Sequence, residues 1–124
     1  MAHRDPVATF QRFLRIRTVS AEGPHGTYAD AVAYLQSLLV PLGLETTIVE
    51  VSPGRPVLIG TWKGSRPELP SLLLNSHYDV VPCNEAQWHT DPFAAILNDD
   101  DEIVARGTQG RDACWTWLTC RNFV

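Results

Sequence analysis

The sequence has no stretch approaching the roughly 18 apolar residues that a helix needs to cross a bilayer, so a helical span is excluded. Its amino terminus, MAHRDPVATFQRF, also lacks the apolar core of a secretory signal. Cationic excess is missing too: ten Lys and Arg face fourteen Asp and Glu, for a net charge of −4. That balance gives no basic field for nucleic acid and no polybasic patch for a membrane surface. Three cysteines form no even framework, so reduced thiols and a cytoplasmic address are expected. Internal repeats and low-complexity linkers are absent, and the length suits one domain or part of one.

What is present reads as mixed α and β. Asp5 is a plausible N-cap with Pro6 at the first helical position, followed by Val7, Phe10, Phe13 and Leu14 on one stripe. After the loop Glu22–Gly26, a second helix is expected from Thr27 or Tyr28. It carries Ala31, Val32, Leu35, Leu38 and Leu39 at helical spacing and stops at Pro41 and Gly43. Thr46–Val51 and Val57–Trp62 read as strands, with a turn over Lys63–Pro67. Ala94–Leu97 and Ile103–Ala105 form an expected hairpin across Asn98–Asp101. Its acidic tip lacks the spacing of a calcium loop and is read as a solvated turn.

The run Leu72–Pro82, LLLNSHYDVVP, carries the chemistry. Ser71–Leu74 reads as a short strand buried on both faces, delivering His77 and Asp79 beyond its carboxyl end, where open α/β sheets place ligands. A period of two puts both side chains on one face. Asp79 can then accept one imidazole N–H while the other ring nitrogen binds a metal. The same pair also fits a buried histidine satisfied by its neighbour, and H-x-D alone does not separate the two readings.

With Gln87-Trp88-His89-Thr90-Asp91-Pro92-Phe93 and Ile103-Val104-Ala105-Arg106-Gly107-Thr108-Gln109, the run resembles the zinc amidohydrolase family of aminoacylase-1 and related dinuclear metallopeptidases. The likeness begins near Phe10 and continues through Gln109, corresponding to the amino-terminal part of a family member. It implies the amino-terminal portion of a mixed-sheet α/β catalytic domain, lacking the later strands and the dimerisation domain. It further implies that His77 binds one of two zinc ions and that Asp79 is the carboxylate orienting it. The implied substrates are N-acyl-L-amino acids, and the family's assembly is a homodimer.

The resemblance breaks at Gly110, which stands where the family has an aspartate bridging both metals. Glycine has no side chain to ligate zinc. The chain therefore divides into a partial catalytic domain, 1–109, and a divergent tail, 110–124, that is expected to be poorly ordered and to come from splicing or a shifted frame. Asp112 is displaced roughly 7 Å along an extended chain from the bridging position and is read as a solvated residue. Cys114 and Cys120 lack a zinc spacing, and Cys83 is read as a small buried hydrophobe. Trp88 and Phe93 are read as packing residues, His89 as a surface residue, and His3 and His25 receive no role.

The family's glutamate base and remaining ligands have no counterpart here. Three outcomes stay open: a family enzyme fragment inactive alone, a non-catalytic fragment binding full-length subunits, and an unstable by-product.

Overall fold

The computed structural model describes residues 5–108, 110 and 111. His3, Gln109, Asp112, Cys114 and Cys120, with the rest of 112–124, lie outside the described residues.

Helix α1 spans Pro6–Leu14, and Asp5 caps it by accepting a hydrogen bond from the Val7 amide at 2.9 Å. Proline at the first turn costs nothing, because that amide has no intrahelical acceptor. Asp5→Ala is expected to lower stability by about 1 kcal/mol, read from the urea midpoint followed by circular dichroism; an unchanged midpoint would show that the cap is idle. The stripe Phe10, Phe13 and Leu14 is buried, while Val7 at the helix start is exposed. Helix α2, Tyr28–Leu39, buries Tyr28, Ala31, Val32, Leu35 and Leu38. It tightens into the turn Val40–Leu42 at Pro41, and Gly43 follows at φ 85°, a left-handed value that favours glycine.

Strands β1 (Glu45–Ser52) and β2 (Arg55–Thr61) pair antiparallel, with Ile48 opposite Leu58 and Val49 opposite Val57. Helix α2 lies along this hairpin, where Gln36 Nε2 donates to Thr46 Oγ1 at 3.0 Å. Leu58 packs against the core, whereas Ile48, Val49, Val57 and Ile59 remain exposed. A second hairpin joins β3 (Ile96–Leu97) to β4 (Ile103–Val104). Its acidic tip is organised by Asn98, whose side-chain oxygen accepts from the amides of Asp100 and Glu102. The core gathers Phe10, Phe13, Leu14, Ala31, Leu35, Ala95 and Ala105 between the two helices and this second hairpin.

The architecture is a small mixed α/β unit with short antiparallel sheets. One expectation fails. Ser71–Leu74 is not a buried strand: Leu72 and Leu73 are 85% and 87% exposed, and the segment pairs with no strand among the described residues. A strand buried on both faces needs neighbours on each edge and helices above and below. The described residues pair β1 and β2 with each other and leave none of this cover for Leu72–Leu74.

Candidate metal-facing site

His77 and Asp79 meet, although no strand presents them. His77 Nδ1 lies 3.0 Å from Asp79 Oδ1 and 2.9 Å from the Asp79 carbonyl oxygen. Both of those oxygens are acceptors, so Nδ1 is the nitrogen that donates, and the neutral ring keeps its lone pair on Nε2. The side chains are 62% and 43% exposed, so their contact is weakened by solvent and its role is orientation, not stability.

Nε2 faces Gly110. A Cβ built on that glycine would sit 3.3 Å from Nε2 and 3.2 Å from Cε1. Gly110, where the family likeness was expected to end, is thus next to the ring edge of His77.

The turn carrying the pair is held from several sides. Val80 forms an isolated parallel bridge with Val19, its amide donating to the Thr18 carbonyl at 2.9 Å and its carbonyl accepting from the Ser20 amide at 2.8 Å. The Tyr78 hydroxyl donates to the Pro56 carbonyl of β2 at 2.7 Å, and its ring meets Tyr28 edge-on with centroids 5.2 Å apart. Burial, followed by the Asp79 charge, raises the Tyr28 phenol above its ordinary range. For Tyr78, burial again leads, with Tyr28 and Asp79 adding to the upward shift. Downstream, Arg106 Nε donates to the Val81 carbonyl at 2.9 Å and its Nη2 to Pro82 at 2.8 Å. Gly107, at φ 94°, lets Val80 approach so closely that a Cβ there would fall 2.5 Å from Val80 Cγ1.

Arg111 was not legible as a site residue. Its side chain is fully buried, with the guanidinium 4.6 Å from the centre of the Phe13 ring. The other residues singled out in the sequence are peripheral. His25 and His89 are exposed, and Cys83, Trp88 and Phe93 are half-buried. Arg17 lies over the Phe93 ring at 4.6 Å while bridging Glu22 and Glu85, a packing arrangement of the loop that follows the turn. An open groove between α1 and α2, lined by Asp5, Thr9, Arg12 and Tyr34, shares no residue with the His77 pair.

Among the described residues, no group of three His, Cys, Asp or Glu side chains is placed to hold a metal ion. A catalytic zinc takes three protein ligands and a water, so His77 fits one ligand of such a centre and the described residues do not make up the rest. With Asp79 committed to Nδ1, the pair supplies one oriented nitrogen donor.

No protein-family model matches the chain. Among curated proteins it is 42% identical over 115 residues to aminoacylase-1 of Mus musculus, covering 88% of this chain and 28% of that protein. Its identity to aminoacylase-1 of Homo sapiens is 46% over 103 residues, covering 83% of this chain and 24% of that protein. A stretch of 51 residues is 49% identical to probable carboxypeptidase S-like 1 of Dictyostelium discoideum, covering 41% of this chain and 10% of that protein. The chain therefore spans about a quarter of the length of the aminoacylase-1 proteins it matches.

Proposed function

We propose, for a chain homologous to the aminoacylase-1 proteins over about a quarter of their length, that it is part of the catalytic domain of a zinc-dependent N-acyl-amino-acid amidohydrolase. Its contribution is one zinc ligand, His77, oriented by Asp79. The observation that carries this reading is the 3.0 Å contact between His77 Nδ1 and Asp79 Oδ1, which leaves Nε2 as the nitrogen able to bind a metal, beside Gly110. Orientation of a ligating imidazole through its other ring nitrogen is the usual way a protein fixes the tautomer and raises the basicity of the donor.

The reaction belonging to such a centre is hydrolysis of an N-acyl-L-amino acid to a carboxylate and a free amino acid in the cytoplasm. In this reading residues 1–109 carry the family likeness and 110–124 do not, and the chain does not turn over substrate by itself. Loss of a general base alone costs about a hundredfold to ten-thousandfold, and a single ligand does not retain the ion that activates water. Purified chain, supplied with zinc and N-acetyl-L-methionine, is expected to release no free amine above the rate of its His77→Ala variant. Turnover that depends on His77 would overturn this.

A second reading, a non-catalytic fragment docking on full-length subunits, is favoured by the bare row Leu72–Leu74. Co-purification with a full-length homologue, lost in a Leu72→Asp, Leu73→Asp double variant, is its expected signature. Failure to co-purify removes it.

A further inference from the structure

We propose that Arg111 is the positioning residue of the His77–Asp79 pair, acting through the Tyr78 carbonyl that lies between the two residues in the chain. Its functional meaning rests on the reading of His77 as a metal-facing donor, while its structural basis stands apart from that reading.

The guanidinium reaches acceptors from separate parts of the chain. Nε donates to the Tyr78 carbonyl at 2.9 Å, Nη1 to the Phe13 carbonyl at 2.7 Å, and Nη2 to the Ile16 carbonyl at 2.9 Å and to Thr18 Oγ1. Thr18 in turn donates its hydroxyl proton to the same Tyr78 carbonyl at 2.6 Å. The Tyr78 peptide thus receives two donors, each anchored in the segment leaving α1. A planar fork with fixed N–H directions suits this arrangement, and a lysine ammonium cannot reproduce it.

Burying a guanidinium is costly unless its donors are met, and Arg111, at 0% exposure, has carbonyl and hydroxyl acceptors on Nε, Nη1 and Nη2. The same residue also controls the opposite wall. Its amide donates to the Gly107 carbonyl at 2.9 Å in a helical turn, and its chain neighbour Gly110 lies against Nε2 of His77. Arg111 therefore joins the Tyr78 peptide, through its side chain, to the helical turn beside the imidazole, through its main chain.

The test uses the full chain with Arg111→Met, Arg111→Lys and Leu14→Ala, the last weakening the same core without removing a hydrogen bond of the clamp. Ring nitrogen–proton correlation spectra of His77 are recorded at a pH where the ring nitrogen shifts themselves show the neutral imidazole. The unsubstituted chain is expected to show the single Nδ1–H tautomer, as is Leu14→Ala. Both Arg111 variants are expected to show mixed tautomers while keeping their far-ultraviolet dichroism. If Arg111→Met does not fold, Arg111→Lys decides alone.

A single Nδ1–H tautomer in a folded Arg111 variant overturns the proposal, as does equal mixing in Leu14→Ala. On the same samples, His77-dependent zinc affinity is expected to fall about tenfold to a hundredfold with Arg111 removed, the usual effect of losing an orienting partner. If the unsubstituted chain shows no His77-dependent zinc binding, the metal reading fails while the tautomer comparison still decides the role of Arg111.

Discussion

Gly110→Asp is expected to raise the zinc affinity of the chain by about two to three orders of magnitude, and His77→Ala introduced with it should erase the gain. A complete four-ligand site is worth about 10–16 kcal/mol, or roughly 2.5–4 kcal/mol per donor, and each 1.4 kcal/mol is a factor of ten. The gain depends on where the new carboxylate lands. A Cβ at position 110 lies 3.3 Å from Nε2 beside the ring edge, and an aspartate oxygen extending from it is within reach of an ion shared with the imidazole, each about 2 Å from the metal. That approach is tight, and the half-exposed imidazole must yield by a few tenths of an ångström. Gly110 does not occupy the left-handed region, so the substitution carries no strain of that kind. Competition against a chromophoric zinc chelator measures the change. An affinity equal to that of the unsubstituted chain would mean that the facing geometry at Gly110 is wrong.

Phe13→Ala is expected to cost about 3–5 kcal/mol, a large share of the stability of a small unit whose total is about 5–15 kcal/mol. Phe13 is fully buried, stacks on Tyr34 at 6.3 Å, and carries the Arg111 guanidinium on its face at 4.6 Å. Truncation removes the apolar volume and the π-face together, and stabilisation by such a face reaches about 2 kcal/mol when desolvated. Urea unfolding followed by circular dichroism gives the loss directly. A shift below about 1 kcal/mol would show that the core is loose enough to collapse around the cavity. The substitution should also release His77 from its single tautomer, because the seat of Arg111 goes with the ring.

The helices were legible because their determinants are local. Asp5 and Pro6 announce the start of α1, and the spacing of Phe10, Phe13 and Leu14 marks its inner face. Pro41 and Gly43 announce the end of α2, and the hairpin around the Asn98 tip follows from turn chemistry. Leu72–Leu74 misled because a buried strand is defined by its neighbours. An apolar run states what a segment prefers and not whether another strand is there to pair with it.

His77 and Asp79 were legible as a pair from their spacing, although the contact at 3.0 Å forms outside any strand and not on the strand with which the spacing was read. What sequence could not supply was their support. Thr18, Tyr78 and Arg111 lie far apart in the chain, and none belongs to a pattern that marks a buried network. A lone arginine beside a glycine at the edge of a recognisable motif reads as solvated, because arginine is seldom fully buried unless its donors are satisfied. The one signal was its position directly after Gly110, where the family likeness was expected to end.

The most direct test of the account is a zinc titration of the purified chain beside its His77→Ala variant. One oriented nitrogen supplies only about a quarter of the free energy of a four-ligand site, so the account predicts weak binding, on the order of millimolar, that disappears in the variant. Submicromolar binding that depends on His77 would contradict it, because the single donor found among the described residues cannot hold the ion that tightly.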